Sequence, residues 1–319
     1  MTLVVAKKKG EVLSLVSDTG ISLNGALLGP DKQMPKLCIL NRSLAVAFCG
    51  SPDLALRTIQ AAPKDDRATY RSITNHFLDA HRQHDNDFIL AFGPPLSKLA
   101  LVADGTIKQN RTTEWIGDKD GFEAFQEFRQ KRESTLPHIK TMLGTSRKIE
   151  AEGKLPTFDM IGTMRTVIER DDVPSVFGHP VGINNVTGSF EFLNYTVTLE
   201  ELSSFEVPAT VSPARVLGQI AEAQAYAFSC FVNSPGDASD AVAFHYMRGK
   251  FTYVYYGKAG EPLSNFVLYK DMNVLEIGER AQADLGVTWV GGITSRTGLP
   301  IGYGVPADQW RNFQFGKRR

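Results

Sequence analysis

Residues 2–18 of the chain are TLVVAKKKGEVLSLVSD, and this stretch decides the fold. Two apolar runs, 2–6 and 12–17, are rich in the residue types that favour β-strands. The lysines and the glycine between the two runs predict a tight, solvent-exposed turn. We therefore expect a β-hairpin in which Asp18, at the end of the second strand, lies beside Thr2 at the start of the first.

The composition is typical of a globular protein with a sizeable core. Of the 319 residues, 42% are hydrophobic, and the 35 basic residues balance the 35 acidic ones. A chain with zero formal net charge has no overall field to attract nucleic acid or an anionic membrane. No stretch approaches the roughly 20 apolar residues of a membrane-spanning helix, and the first lysines follow the first apolar run, the reverse of the order in a signal peptide. We expect a cytoplasmic protein that binds neither nucleic acid nor membranes.

Beyond the hairpin, strand and helix patterns follow one another in blocks. Strands are predicted over 36–40, 43–49, 87–92, 98–103 and, around a glycine turn, within 181–198; helices are predicted over 53–62, 67–84, 121–133 and 157–170. This order is typical of helices packed on antiparallel sheets, rather than of alternating units with a parallel sheet. The expected fold class is therefore α+β.

The C-terminal part of the chain has a different pattern. A helix over 214–232, an aromatic hairpin over 244–256 and a strand near 263–270 are predicted there. We place a domain boundary near residue 204. It separates a domain of residues 1–204 from a C-terminal α+β extension of residues 205–319, to which the sequence assigns no role.

The potential metal ligands are dispersed. The three cysteines show neither the pairing of a disulfide framework nor the spacing of a metal site. His76, His81 and His84 share one predicted helix at spacings of five and three, with Asp79 between them. A metal site needs ligands three or four positions apart on one helical face. We interpret the three histidines as a solvated helix face.

Thr2 is the first candidate for catalysis. A threonine exposed by removal of Met1 carries a nucleophilic hydroxyl and, in its own α-amine, a base. The α-amine has an ordinary pKa of about 7.7–8.0, so part of it is neutral near pH 7. Asp18 and Lys36 are expected at the same end of the sheet, and a charged lysine there lowers the proton affinity of the hydroxyl. Taken singly, these residues are equally compatible with an ordinary N-terminus, a turn carboxylate and an exposed lysine.

The order of several motifs resembles the proteasome β-subunit and HslV-like branch of the N-terminal nucleophile hydrolases, including the bacterial self-assembling proteasome homologues. After the hairpin, which ends in SDTGIS, come PKLCILNRSLAVAFCGSPD at 35–53, DFILAFGPPLSKLALVADGTI at 87–107 and EWIGDKDGFEAF at 114–125. The resemblance covers about residues 2–198. It depends on the order of the motifs, because no single one of them is specific.

The resemblance implies a role for six residues. Thr2 matches the nucleophile, with its α-amine as the general base. Asp18 matches the carboxylate that orients the lysine, and Lys36 matches that lysine. The remaining matches are Gly50, whose backbone N–H would hold the oxyanion, Asp171, which would hold the N-terminus, and Ser175, the serine that follows that aspartate.

The resemblance also implies an architecture and a set of partners. The expected fold is a four-layer αββα sandwich, with two stacked antiparallel sheets and two helices on each outer face. The expected activity is a threonine peptidase that acts on peptide or protein substrates without a metal or organic cofactor. A homo-oligomer in the form of a ring or spiral and an unfoldase partner are implied as well.

Two departures from the family pattern leave other functions open. Asp118 stands where the family has a serine that supports the hydrogen bonds of the amine, and Thr19-Gly20 replaces the usual arginine after the aspartate. One alternative is a catalytically silent, proteasome-like subunit with a structural or binding role. A second alternative is a hydrolase of the same superfamily that cleaves amide bonds in small molecules.

Overall fold

The structure is a computed structural model that describes most of the chain. It describes residues 2–23, 26–27, 33–63, 68–131, 139–140, 148–193, 195–197, 228–233, 239–246, 251–272, 274–287, 289–290, 292–294 and 300–303. These residues fall into two compact units. The first unit lies within 1–136, 146–193 and 257–265, and the second within 137–145, 194–256 and 266–319. The predicted boundary near residue 204 lies outside the described residues.

The first unit contains most of the regular structure. Its strands are β1 (Leu3–Lys9), β2 (Val12–Ser17), β3 (Ser22–Leu23), β4 (Ala26–Leu27), β5 (Leu37–Asn41), β6 (Leu44–Cys49), β7 (Asp87–Phe92), β8 (Lys98–Ala103), β9 (Thr106–Gln109), β10 (Thr113–Gly117), β12 (Val181–Asn184) and β13 (Glu191–Phe192). Its helices are α1 (Pro52–Gln60), α2 (Tyr70–His84), α3 (Lys119–Lys131) and α4 (Lys148–Ile168). The predicted elements are present, with ends that shift by a few residues. Helix α4 differs most, because it begins at Lys148 instead of residue 157.

Two antiparallel five-stranded sheets organise this unit. One has the strand order β10-β1-β2-β12-β13, and the other has the order β5-β6-β7-β8-β9. The predicted hairpin is confirmed, since β1 and β2 pair antiparallel with Val4 opposite Ser17. Strands of the two sheets contact each other, most directly β10 with β7 and β1 with β6. These contacts join the two sheets of the first unit.

Two helices pack on each sheet of the first unit. Successive side chains of a strand point to opposite faces of its sheet, so each sheet has a face available for helices. Helices α3 and α4 pack on the sheet that contains β1; Trp115 of β10, for example, stacks on Phe122 of α3 with 4.6 Å between ring centroids. Helices α1 and α2 pack on the other sheet, where Phe77 of α2 meets Phe88 of β7. The described part of this unit is thus a mixed α and β fold with antiparallel sheets.

The second unit is built on another antiparallel sheet. Its elements are β11 (Ile139–Lys140), β14 (Tyr195–Val197), β15 (Phe228–Asn233), β16 (Ser239–Tyr246), β17 (Phe251–Lys258), β18 (Asn265–Lys270), α5 (Val274–Leu285), β19 (Trp289–Val290), β20 (Gly292–Thr294) and β21 (Pro300–Tyr303). Ala241, Val254 and Tyr269 of the sheet form one buried cluster with Ile277 and Ala281 of α5.

One prediction for this region needs correction, and one helix was not expected. Residues 228–233 form strand β15, although a helix was expected over 214–232. β15 pairs with β14, β16 and β19, and this pairing outweighs the weak helical preference of a short apolar segment. Helix α5 was not predicted at all. Within the part of the chain that is described, no helix is long and apolar enough to cross a membrane.

Candidate active site

The β1–β2 hairpin brings Thr2 and Asp18 together. Because Val4 pairs with Ser17, the residue after β2 lies beside the residue before β1. The Leu3 N–H donates to Asp18 Oδ1 at 3.0 Å, and the Thr2 hydroxyl donates to the same oxygen. The side chain of Asp18 is fully buried, and Thr2 is 4% exposed. The sequence expectation for this pair therefore corresponds to a direct contact.

Lys36 completes a buried group with Thr2 and Asp18. It lies immediately before β5, and its Nζ donates to Asp18 Oδ1 at 3.0 Å and to the Gly20 carbonyl. The backbone around Lys36 is fixed to β6, because the Phe48 N–H donates to the Lys36 carbonyl at 3.2 Å. Burial lowers the pKa of Lys36, and the carboxylate of Asp18 opposes this shift. Asp18 thus favours the charged form of the lysine, whereas burial favours its neutral form.

Cys49, at the end of β6, is the other potential nucleophile in this neighbourhood. Burial raises the pKa of its thiol to about 11, and the charges of Lys36 and Asp87 act on it more weakly and in opposite directions. The thiolate is the reactive form of cysteine. At neutral pH this thiol is therefore protonated and is not present as the reactive thiolate.

Gly50 follows Cys49 and begins the turn into α1. Its φ of +108° is in the region that favours glycine, and a Cβ atom at this position would lie 2.9 Å from Asn86 Oδ1. Gly50 thus directly follows Cys49, on whose thiol the charge of Lys36 acts. This position is compatible with the predicted role of its backbone N–H.

A second set of contacts holds the backbone of Thr2. The Asp118 N–H donates to the Thr2 carbonyl at 2.6 Å. Gly117 makes this approach possible: its φ is +104°, and a Cβ atom there would lie 1.9 Å from the Thr2 carbonyl oxygen. Any other residue at position 117 would displace Thr2. The sequence analysis did not single out Gly117, because the close approach depends on the pairing of β1 with β10.

Asp118 is itself held by two hydrogen bonds. The Ser175 hydroxyl donates to Asp118 Oδ2 at 2.6 Å, and the Gly121 N–H at the start of α3 donates to Oδ1 at 2.7 Å. Ser175 is therefore brought to the Thr2 neighbourhood through Asp118. Asp171 is exposed, and among the described residues it makes no hydrogen bond or ion pair. The structure does not bring Asp171 to this group.

The segment after Ser175 makes hydrogen bonds to Asp18 and to the residue that follows it. The Phe177 N–H lies 3.4 Å from Asp18 Oδ2, and the His179 N–H donates to the Thr19 hydroxyl at 2.9 Å. Burial lowers the pKa of His179 to about 3, so its imidazole is neutral near pH 7. These contacts fix the loop that contains Asp18. Its Oδ1 atom accepts from both Thr2 and Lys36, while Oδ2 faces the Phe177 N–H.

The histidines of α2 do not converge on a metal site. His76 bonds to the Thr58 carbonyl at 2.8 Å, whereas His81 is buried and bonds elsewhere. The expectation of a solvated helix face is thus wrong for His81, since the end of α2 packs against the loops of the second sheet. No group of three or more His, Cys, Asp or Glu residues that could hold a metal ion occurs in the described part of the chain.

No model of a known protein family matches the sequence, and no curated protein matches it. Among solved structures, the chain is similar to eukaryotic HslV from Trypanosoma brucei, with a TM-score of 0.40 and 14% sequence identity over 57% of this chain and 98% of that chain. At this level of similarity neither activity nor residue roles transfer from one chain to the other.

Proposed function

We propose that the chain is a threonine-type N-terminal nucleophile hydrolase that cleaves peptide amides, with Thr2 as the nucleophile after removal of Met1. One observation carries the proposal: the Thr2 hydroxyl, the Asp18 carboxylate and the Lys36 amine share one buried group, centred on Asp18 Oδ1. A hydroxyl, a lysine and a carboxylate brought together away from bulk water are the components that a nucleophilic hydroxyl needs.

The chemistry begins at the hydroxyl of Thr2. The free α-amine of Thr2 accepts the hydroxyl proton as Oγ1 attacks the carbonyl carbon of the substrate. The N–H groups near Gly50 stabilise the oxyanion that forms. Collapse of this intermediate breaks the C–N bond, the α-amine returns the proton to the leaving amine, and an ester remains on Thr2. Attack by water on the ester carbonyl releases the acid and restores the hydroxyl.

Asp18 and Lys36 set the electrostatics of the hydroxyl. Asp18 opposes the lowering of the Lys36 pKa by burial, and in this proposal Lys36 carries its positive charge beside Thr2. A positive charge close to a hydroxyl favours the alkoxide that develops during attack. Asp118 and Ser175 act on the other side of Thr2, where they hold its backbone. Asp171 is exposed and lies outside this group, so the proposal does not include the role that the resemblance implies for it.

The proposal includes the arrangement of the chain. Residues 1–204 form the hydrolase domain, with α3 and α4 on one sheet and α1 and α2 on the other as the outer layers of an αββα sandwich. Residues 205–319 form the appended region. The hydrolase assembles into a homo-oligomeric ring or spiral, takes peptide or protein substrates, receives them from an unfoldase and uses no cofactor.

A silent, proteasome-like subunit is the second candidate, and one observation favours it. Both oxygens of Asp118 accept hydrogen bonds, from Ser175 and from Gly121. Where the family has a hydroxyl, the chain has a carboxylate that is already engaged. A hydrolase of small-molecule amides would use the same group of Thr2, Asp18 and Lys36, and differs from the first proposal in its substrate alone.

Hydrolysis of a mixed peptide pool by protein purified from its native host tests the proposal. The intact protein should have lost one methionine residue, and new peptide ends should form. Thr2→Ala should abolish the cleavage, whereas Thr2→Ser should retain part of it because the hydroxyl is kept. A protein that retains Met1 and cleaves nothing supports the silent subunit. Cleavage of N-acyl amino acids but not of peptides supports the small-molecule amidohydrolase.

A further inference from the structure

The amide side chain of Asn86 bridges the backbone of the turn that follows β6. The Ser51 N–H donates to Asn86 Oδ1 at 3.2 Å, and Asn86 Nδ2 donates to the Ser51 carbonyl at 2.8 Å. Asn86 is 1% exposed. One side chain thus satisfies both backbone groups of the residue after Gly50, which is a pattern of contacts that fixes a turn rather than merely fills space.

The side chain of Ser51, within the turn, does not hold its backbone. Ser51 is the N-cap of α1, but its side chain makes no capping hydrogen bond. Gly50 has a φ of +108° and lacks a Cβ, so its backbone can adopt a broad range of φ and ψ values. The pairing of Cys49 with Asp87 restrains the backbone before Gly50, and the bonds that hold Ser51 restrain the backbone after it.

His81 in turn holds Asn86. His81 Nδ1 donates to the Asn86 carbonyl at 2.9 Å, and Nε2 accepts from the Gly105 N–H at 2.8 Å. These bonds assign the neutral tautomer with the proton on Nδ1. The carboxylate of Asp87 lies 3.4 Å from the same Nδ1. The imidazole thereby connects the end of α2, the start of β7 and the β8–β9 turn.

We infer that Asn86 is a positioning residue for the oxyanion site, that it orients the Gly50 N–H by holding Ser51, and that His81 acts through Asn86. This inference rests on the proposed function. Neither Asn86 nor His81 touches the reacting atoms; both act on the geometry of the turn. Loss of one oxyanion donor costs about 10²- to 10³-fold in rate. Displacement of the donor costs less, and we expect a loss of about 10- to 100-fold.

The test uses a peptide β-lactone and measures acylation of Thr2 by intact mass. In this reaction the Thr2 Oγ1 attacks the lactone carbonyl, the ring C–O bond breaks, and the released alkoxide takes the hydroxyl proton. The carbonyl oxygen becomes an oxyanion on the way, so the maximal acylation rate reports the oxyanion site. The half-saturating lactone concentration reports initial binding instead. A role in stability alone would not separate these two quantities.

Asn86→Ala should lower the maximal acylation rate about 10- to 100-fold and change the half-saturating concentration less than about threefold. Asn86→Asp should fall between Asn86→Ala and the wild type, because the aspartate still accepts from the Ser51 N–H. His81→Ala should lower the rate as well. Combined with Asn86→Ala it should add little, since His81 acts through Asn86.

Asn185→Ala is the matched control. Asn185 is also buried, accepts from the Leu13 N–H at 2.7 Å and donates to the Glu11 carbonyl at 3.3 Å. It makes the same kind of backbone bridge at the hairpin turn, far along the strands from Thr2. Its loss should lower the melting temperature without a comparable loss of acylation rate.

Two outcomes would overturn the inference, and they can be distinguished. If the wild type is acylated at Thr2 and Asn86→Asp and Asn86→Ala react as fast as Asn185→Ala, the positioning role is wrong and the proposed function stands. If the wild type is not acylated at Thr2, the proposed function fails and the inference fails with it. Should Asn86→Ala not fold, Asn86→Asp and His81→Ala decide between these outcomes.

Discussion

Lys36 Nζ lies 3.0 Å from Asp18 Oδ1, and both side chains are almost completely removed from solvent. The same carboxylate oxygen accepts from the Thr2 hydroxyl. A buried pair of this kind stabilises a fold little compared with apolar residues of the same volume, but the loss of one member is costly. The pair is therefore weak evidence for a contribution to stability, and its position beside a hydroxyl is compatible with the chemical role that we propose for it.

Replacement of Asp18 by asparagine should destabilise the fold strongly. The substitution leaves the Lys36 ammonium buried without its counter-charge, and broken buried pairs typically cost about 3–5 kcal/mol. Denaturant titration measures the free energy of unfolding. Asp104→Asn, which breaks the exposed pair with Lys108, should change it little. An equal, small effect of both substitutions would contradict the buried ion pair, and Asp18→Asn combined with Lys36→Met should recover part of the loss.

The pH dependence of stability should carry the signature of Lys36. Burial lowers its pKa in the folded protein. Between that lowered pKa and the ordinary lysine value near 10.4, the unfolded chain binds more protons than the folded one. Stability therefore rises with pH across this window as the penalty for the buried charge is relieved. Relative to Lys36→Met, the free energy of unfolding of the wild type should rise as the pH increases toward the ordinary lysine pKa of about 10.4. A difference that stays constant, or falls, would show that Lys36 keeps an ordinary or raised pKa.

Alanine at position 117 should displace Thr2. The added Cβ would lie 1.9 Å from the Thr2 carbonyl oxygen, at a φ of +104°. Gly10→Ala is the matched control, because Gly10 also has a positive φ, of +62°, but nothing within 4 Å of the added atom. The control should lose about 1–2 kcal/mol from backbone strain. Gly117→Ala should lose clearly more and should abolish hydrolysis; similar losses in the two variants would show that the contact with Thr2 is not as close as described.

Ser175 and Asp171 should differ in their effect on activity. Ser175→Ala removes the donor to Asp118 Oδ2 and leaves an oxygen of this buried carboxylate unpaired, at a cost of about 1–3 kcal/mol. Since Asp118 holds the Thr2 backbone, peptide hydrolysis should fall as well. Asp171→Ala removes an exposed side chain and should have little effect on either quantity. If Asp171→Ala is the more damaging of the two, Asp171 holds the N-terminus as the family resemblance implies.

The local part of the site could be predicted from the sequence. Two apolar runs and one short turn are enough to place Asp18 beside Thr2, because a hairpin brings the end of its second strand back to the start of its first. Lys36 precedes the next strand and follows the same logic. The contacts of Asn86 with Ser51 could not be predicted, since they join residues 35 positions apart through an amide that fits many environments. His81 was misassigned for a related reason: helical spacing shows which residues share a face, not what covers that face.

The helix expected over 214–232 shows a different limit. A short apolar segment such as 228–233 is compatible with a helix or a strand. Its neighbours in the sheet decide, and they come from β14 and β16 on either side. Helix α5 was missed because its polar and apolar residues follow a predicted strand without a strong N-terminal signal. Pairing and packing between distant elements determine both outcomes.

Reaction of the natively purified protein with a peptide epoxyketone, followed by peptide mapping, tests the central claim most directly. The hydroxyl of an N-terminal threonine adds to the ketone, and the α-amine of the same residue then opens the epoxide. The adduct is attached through both the oxygen and the nitrogen, so it forms only where both groups are free. We predict this adduct on a chain that begins at Thr2, and none on Thr2→Ala. A chain that retains Met1 and forms no adduct at Thr2 would contradict it.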